Sequence, residues 1–192
     1  MASHHLEQVV ADYDERFRRN AQRELACFEK LPTEEAVSRA GLAELPSGKR
    51  HSHQRRISRS ALEESRRRLL DNLPLLRKAK SFDELHELIG RVIGPIHGIG
   101  ELAVYDTALR IGARFRLEPS RVYLHAGTRD GAKALGLDWK CAAIEMHDLP
   151  HPLRRLTARE AEDVLCIYKD GLVDSARPCH PPKTRRGNQG GC

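Results

Sequence analysis

Apolar side chains recur at helical spacing along much of the chain, between stretches of charged residues. In residues 5–30 this spacing predicts one long amphipathic helix, with apolar positions at Leu6, Val9, Val10, Tyr13, Phe17, Leu25 and Phe28. A shorter helix is predicted from Glu34 onward, with Thr33 as its N-cap, and residues 41–48 end it. Residues 1–48 are therefore interpreted as N-terminal helices that pack one stripe inward.

Three segments have the Ser/Thr-x-x-Glu spacing of a capping box, in which the hydroxyl and the carboxylate each accept a hydrogen bond from a free backbone N–H group. These segments begin at Ser60, Ser81 and Thr157, and a run of helical periodicity follows each. After Ser81 the apolar positions are Phe82, Leu85, Leu88, Ile89, Val92 and Ile93. The helix after Thr157 is predicted to bury Ala161, Val164, Leu165 and Tyr168 and to end at Gly171.

These patterns predict a mainly α-helical fold, a compact multi-helix domain. Residues 121–125 alone have β-prone composition, which predicts at most a very short strand or an extended connector. Hydrophobic residues make up 40% of the chain and aromatic residues only 5%, which favours helices over a β-sandwich. After the N-terminal helices we expect a basic exposed loop at residues 49–59, a helical core at 60–176 and a disordered basic tail at 177–192.

Two helical segments meet at a Gly-Ile-Gly turn formed by Gly98, Ile99 and Gly100. Glycine permits unusual backbone angles and lets a phosphate approach the main chain without a Cβ atom in the way. Residues 81–112, about a sixth of the chain, resemble a helix-hairpin-helix, the nucleic-acid-binding motif of many repair proteins, including base-excision glycosylases. The resemblance implies that Ile99 is a buried plug and that the amides of Ile99, Gly100 and Glu101 face a phosphate.

The segment also departs from the motif, because Glu101 and Leu102 stand where such hairpins usually carry Lys, Arg or a small polar residue. In the glycosylases of this kind, the catalytic Asp follows the hairpin after a whole further helix. Asp106 instead lies inside the second helix of the hairpin, and no Lys stands beside the turn to serve as a nucleophile. Glycosylase activity is therefore not carried over to this chain.

The positive charge of the chain is concentrated in two segments. The first contains Lys49, Arg50, Arg55, Arg56 and Arg59, and the second contains Arg177, Lys183, Arg185 and Arg186. These nine cations exceed the formal net charge of +6, so the rest of the chain carries −3. The distribution is compatible with contact to a polyanion, and equally with two solvated arms.

A second candidate site follows the strand-like segment, where His125, Arg129 and Lys133 surround a turn that contains two glycines. Such a turn can hold a ligand phosphate on backbone amides, with Arg129 or Lys133 as the counter-charge. The alternative is a purely structural turn in which Asp130 caps a helix. The segment matches neither a P-loop nor a dinucleotide-binding fingerprint.

No metal, cofactor or membrane segment is predicted. The ten histidines lack the paired spacing of a zinc site, and the five cysteines are widely spaced without a CxxC pair, which is typical of reduced thiols. No apolar stretch reaches the length of a signal peptide or a membrane span. We therefore expect a cytoplasmic protein that has no membrane partner.

Three functions remain open from the sequence. The leading hypothesis is a protein that contacts nucleic acid with low sequence specificity, through Gly98, Ile99 and Gly100 and the basic residues Arg50, Arg55, Arg56 and Arg59. The second is a helical interaction or scaffold protein without catalytic activity. The third is a small enzyme that acts on a nucleotide or another phosphorylated ligand near residues 125–133. DNA and RNA are not distinguished, and a protein partner also remains open.

Overall fold

The chain is mainly helical, as predicted, and a single pair of short strands is found in the described residues. The computed structural model describes residues 2–45, 48–51 and 54–172, so the predicted tail at 177–192 lies outside them. The helices are α1 Ala2–Tyr13, α2 Arg19–Lys30, α3 Thr33–Gly41, α4 Arg59–Asp71, α5 Leu73–Leu76, α6 Phe82–Ile93, α7 Glu101–Phe115, α8 Ala126–Ala134 and α9 Ala158–Ile167. Among them none combines the length and the apolar character needed to cross a membrane.

The long N-terminal helix is present but is not uniform. A π-helical segment, Asp14–Arg18, joins α1 to α2, so the chain remains helical from residue 2 to residue 30. The aromatic ring of Phe17 lies 6.4 Å from that of Tyr13 and 6.1 Å from that of Tyr168, which follows α9. The wider turn thus lies where aromatic side chains pack this helix against the C-terminal part of the domain. The amphipathic pattern contained no signal for it.

Two of the three predicted capping boxes begin helices where expected. The Ser81 hydroxyl accepts a hydrogen bond from the Glu84 amide at 3.2 Å, although the Glu84 carboxylate accepts from the Lys80 amide instead of the Ser81 amide. At Thr157 both bonds of the box form with Glu160. These caps explain why α6 and α9, which contribute much of the site described below, begin at fixed residues.

The other two predicted caps are wrong by one or two residues. Helix α4 begins at Arg59, and its N-cap is Ser58, whose hydroxyl accepts from the Ala61 amide at 3.2 Å. Ser60 therefore lies inside the first turn. In α3 the N-cap is Pro32, and Thr33 is the first helical residue and makes no capping bond. The ring of Pro32 fixes its φ, which is −52° here, and this value suits the residue that precedes a helix.

The apolar side chains form two clusters, one around helices α3 to α7 and one around α1, α8 and α9. Strand β1, Arg121–Tyr123, lies between them and pairs antiparallel with β2, Ala143–Glu145. Because successive side chains of a strand point to opposite sides, Tyr123 belongs to the first cluster while Val122 and Leu124 belong to the second. The strand therefore holds the two halves of the core together.

Helices α6 and α7 form the predicted two-helix hairpin, with α6 ending at Ile93 and α7 beginning at Glu101. Of the side chains predicted to be in its core, Leu85 and Ile89 are fully buried. Three other residues that the sequence placed on its apolar side are only partly buried and pack against the edge of the same cluster; they are Leu88, Val92 and Ile99. The prediction of two helices joined by a turn is thus confirmed, while the buried apolar face of the pair is narrower than the sequence suggested.

Candidate functional site

The turn between α6 and α7, residues 94–100, has free space around two of its glycines, Gly98 and Gly100. Gly98 has φ +89°, a conformation that side-chain-bearing residues rarely adopt, and a Cβ atom added at Gly98 or Gly100 would meet nothing within 4 Å. The Ile99 amide donates to the Ile96 carbonyl at 3.0 Å, so the expectation that it faces a ligand is wrong. The first bond of the α7 ladder runs from Val104 to Gly100, which leaves the amides of residues 101–103 without a helical partner.

A cavity of about 770 Å³ adjoins this turn, and we call it the hairpin pocket. It lies between the turn, the exposed side of α6, strand β1 and the start of α8. Its walls comprise Asp83, His86, Glu87, Gly90, Arg91, Gly94, Ile99, Gly100, Glu101, Val104, Tyr105, Arg121, Tyr123, Leu124, His125, Arg129 and Ala142. Cavities of this size accommodate ligands as large as a nucleotide. The pocket therefore joins parts of the two sites that the sequence suggested separately, namely Ile99 and Gly100 of the turn and His125 and Arg129 of the second site.

Aromatic rings form one side of the hairpin pocket. The ring of His86 lies 4.4 Å from that of Tyr123, and Tyr105 lies 5.7 Å from Tyr123 and 6.0 Å from His125, measured between ring centres. Phe82 supports this group from the core, at 5.5 Å from Tyr123. Burial lowers the pKa of His86, so its ring is neutral at neutral pH. Such a surface can stack against a flat, uncharged ring.

Two tyrosine hydroxyls in this group differ in their partners. The Tyr123 hydroxyl donates to Asp83, whose carboxylate also pairs with Arg121 at 2.9 Å. The Tyr105 side chain is almost completely buried, and its hydroxyl makes no hydrogen bond within the described part of the chain. Burial and the nearby carboxylate of Glu162 raise the pKa of Tyr105. The hydroxyl therefore stays protonated and is available as a donor.

Charged side chains at the rim of the hairpin pocket are paired with one another. Arg91 pairs with Glu87 at 3.0 Å, with both side chains largely exposed. Arg129 contacts Glu101 at 3.5 Å, so the acidic residue after the turn faces a guanidinium group. Exposed pairs of this kind contribute roughly 1 kcal/mol or less, and an incoming anion can replace the carboxylate at small cost.

The predicted basic loop is only partly exposed. Arg55, Arg56 and Arg59 are exposed, whereas Arg50 is half-buried and donates to the Ile57 carbonyl at 3.2 Å. The segment is anchored by two buried residues that the sequence did not single out. His51 pairs with Glu24 at 3.1 Å, and Gln54 donates to Asp106 at 3.0 Å and accepts from Arg110 at 3.1 Å.

The second predicted site is brought together only in part. His125 and Arg129 line the hairpin pocket, but Lys133 does not and instead lies over the ring of Trp139 at 5.3 Å. The Arg129 guanidinium donates to the carbonyls of Trp139 and Cys141, at 3.1 Å and 2.8 Å. Asp130 does not cap α8, because the N-cap is His125, whose amide donates to the Thr128 hydroxyl at 2.7 Å.

Sequence reasoning missed the buried partners of His125. Its Nε2 atom lies 2.5 Å from Oε1 of Glu162 on α9, and both side chains are almost completely buried. Cys166, one turn further along α9, completes a group whose possible ligand atoms all lie within 4.8 Å of one another. Glu162 and Cys166 are four residues apart and so face the same side of a helix, which is the only signal that the sequence offered.

The fold and the pocket define the class of protein: a mainly helical domain with a ligand-sized cavity beside a two-helix hairpin. Comparison with family models, with curated proteins and with solved structures produced no match to this chain. Any assignment of function therefore rests on the geometry of the pocket and the turn.

Proposed function

We propose that this protein contacts nucleic acid with low sequence specificity, and that the hairpin pocket receives one unstacked nucleotide. In this proposal the backbone phosphate lies at the start of α7 and the base lies against the rings of His86 and Tyr123, which the buried ring of Tyr105 supports from behind. One observation carries the proposal: a single cavity extends from the glycine turn to the aromatic rings that form one side of the pocket, which we call the aromatic wall. A nucleotide contains a group suited to each end of this cavity, an anionic phosphate for the turn and a flat base for the rings, and the two are covalently linked.

The phosphate part of the proposal is supported by the start of α7. Three amides lack helical partners, the N-cap is a glycine without a side chain, and space around Gly98 and Gly100 is open. Unpaired amides and the positive end of the helix dipole both favour an anion at this position. Glu101 opposes it, but Arg129 lies within 3.5 Å of this carboxylate and reduces its effect.

The base part of the proposal is supported by the aromatic wall. Stacking of a base on an aromatic side chain contributes roughly 1–3 kcal/mol and tolerates any base, because each has a flat face. The pocket volume of about 770 Å³ exceeds what one base needs. Stacking on such rings does not distinguish one base from another, so the proposal predicts low sequence specificity. Nearby polar groups, such as those of Asp83 and Arg121, can then contact the edges of the base.

A helical interaction protein remains the second candidate, and one observation favours it. Another cavity, of about 480 Å³, lies between α2, the end of α7 and the start of α9, and includes the apolar side chains Leu25, Leu109 and Leu117. The enzyme hypothesis has weaker support, since Arg129 already donates to two carbonyls and Lys133 lies away from the hairpin pocket.

The proposal predicts that affinity for an arbitrary duplex falls steeply as salt rises, because each neutralised phosphate releases condensed counterions. Replacing Glu101 by Gln removes a carboxylate beside the phosphate and releases Arg129 from its contact. We therefore expect Glu101→Gln to raise the affinity by several-fold, roughly the effect of 1 kcal/mol. The matched control is Glu118→Gln, which makes the same charge change on an exposed residue beyond the opposite end of α7.

Fluorescence anisotropy over a series of salt concentrations measures both effects. Equal affinities of the Glu101→Gln and Glu118→Gln proteins would mean that the turn does not face phosphate. In the same series, joint replacement of Arg55, Arg56 and Arg59 by Ala is expected to flatten the salt slope by up to about three units. A parent chain that binds no nucleic acid even at low salt would contradict the proposed function and favour the interaction protein.

A further inference from the structure

One group of reactive side chains has no role in the proposed function. His125, Glu162 and Cys166 meet where the start of α8 packs on α9, beneath the hairpin pocket. His125 and Glu162 are buried and Cys166 is half-buried. A nitrogen, a carboxylate oxygen and a sulfur are thus placed together inside the domain, where none of them is needed to fill apolar volume.

The fold brings these three residues together through two glycines of α8. A Cβ atom at Gly131 would lie 2.1 Å from the Leu165 carbonyl oxygen, so only glycine allows α8 to approach the α9 backbone this closely. A Cβ atom at Gly127 would lie 2.8 Å from Sγ of Cys166. The close approach places His125, at the start of α8, over Glu162 and Cys166, which share one face of α9.

The surroundings of the group favour a cation. The Glu162 carboxylate is buried, and the carboxylates of Asp163 and Asp106 are close enough to interact with it electrostatically. Arg159 pairs with Asp163 at 3.0 Å, but Glu162 has only the imidazole of His125 to compensate its charge among the contacts described. The Tyr105 hydroxyl, which lacks a hydrogen-bond partner, belongs to the same neighbourhood, since its ring lies 6.0 Å from that of His125.

We propose that His125, Glu162 and Cys166 bind one divalent transition-metal ion of the zinc class. Imidazole, carboxylate and thiolate are all ligands of Zn²⁺, whereas Mg²⁺ and Ca²⁺ prefer an all-oxygen set. Binding replaces the hydrogen bond between His125 and Glu162, whose proton leaves these two atoms while the imidazole ring keeps one proton on Nδ1, and it releases the proton of the Cys166 thiol to solvent. Three protein ligands leave the fourth tetrahedral position for water or for the Tyr105 hydroxyl. The site was not recognised from the sequence, because His125 lies at the start of α8 whereas Glu162 and Cys166 lie on α9.

The test uses the full chain, stripped with a chelator and titrated with Co²⁺ and then with Zn²⁺. We expect one equivalent of Co²⁺ to produce visible ligand-field bands of a tetrahedral ion and a near-ultraviolet band from thiolate coordination, and Zn²⁺ to displace it. Replacing Cys166 by Ser should abolish the near-ultraviolet band and weaken binding by at least about 100-fold. Cys27→Ser, which alters an exposed thiol on α2, is the matched control and should bind like the parent.

Two further variants keep the test decisive. Glu162→Gln retains a partner for His125 while removing the anionic ligand, so it should also lose metal affinity even if Cys166→Ser fails to fold. Joint replacement of Cys179 and Cys192 by Ser should leave the site intact. The proposal is overturned if the parent binds no stoichiometric Co²⁺ or Zn²⁺, if Cys166→Ser and Glu162→Gln bind as the parent does, or if removal of Cys179 and Cys192 eliminates the bands.

Discussion

Replacing Gly131 by Ala is expected to destabilise the domain by about 3 kcal/mol or more, although alanine is the better helix former. Gly131 lies inside α8, where propensity alone predicts a gain of about 1 kcal/mol. The added Cβ atom would lie 2.1 Å from the Leu165 carbonyl oxygen, which belongs to the α9 backbone and cannot rotate away. The two helices must therefore separate, which opens the second apolar cluster. Urea denaturation followed by circular dichroism measures the change.

Gly90→Ala is the matched control for this prediction. Gly90 lies inside α6, and a Cβ atom there would meet only Cγ1 of Val104, at an ordinary contact distance of 3.7 Å. We expect this variant to be as stable as the parent or more stable, by up to about 1 kcal/mol. If Gly131→Ala unfolds at the same urea concentration as Gly90→Ala, the close packing of α8 on α9 described above is wrong.

The proposed function predicts that the protein prefers unpaired nucleotides, and replacing Gly90 by Leu is expected to eliminate that preference. Gly90 lines the hairpin pocket opposite Val104, so a leucine side chain there occupies the space proposed for a base. For the parent chain we expect a duplex with one unpaired nucleotide to bind about tenfold more tightly than a paired duplex, because stacking in the pocket adds about 1.4 kcal/mol and the base need not be unpaired first. In Gly90→Leu the two affinities should become equal.

The comparison with Gly90→Ala separates steric blocking from loss of glycine. The alanine side chain is too short to fill the cavity, so this variant should keep most of the preference. Binding to the paired duplex should be similar in all three proteins, since the turn and the basic residues are unchanged. A Gly90→Leu protein that still prefers the unpaired nucleotide tenfold would show that the base does not enter the hairpin pocket.

Local patterns predicted the helices because each depends on residues close together in the chain. The periodicity of α6 and the caps at Ser81 and Thr157 are examples in which a few neighbouring side chains determine the structure. The N-cap of α4 was misplaced for a related reason. Both Ser58 and Ser60 can cap a helix, and the Ser-x-x-Glu spacing favoured Ser60, although it is the Ser58 hydroxyl that accepts the capping hydrogen bond, from the Ala61 amide.

The site was harder to predict because its parts come from distant segments. Gly100, His125 and Arg129 were identified from glycine and polar residues in turns, but nothing local indicated that they share one cavity. Strand β2 pairs with β1 and was not predicted, since its three residues Ala143–Glu145 carry too little pattern. The contact between His125 and Glu162 joins residues 37 positions apart and depends on the packing of α8 against α9.

The residues of the aromatic wall could not be identified from the sequence either. Tyr105 and Tyr123 fit the apolar pattern of a helix and of a strand, so from sequence they are indistinguishable from core residues. The proposed role of Tyr123 as a surface for a ligand depends on the pocket beside it, which only the folded chain forms. Lys133, by contrast, was selected for its charge and lies over Trp139, one helical turn beyond Arg129 and outside the pocket.

Photocrosslinking tests the central claim, that a nucleotide lies in the hairpin pocket, most directly. A duplex with one unpaired 5-iodouracil is irradiated in complex with the parent chain, and the modified peptide is identified by mass spectrometry. The account predicts an adduct on His86 or Tyr123, and loss of this adduct in the Gly90→Leu protein. An adduct that forms instead on the exposed Trp139, or one that persists unchanged in Gly90→Leu, would contradict it.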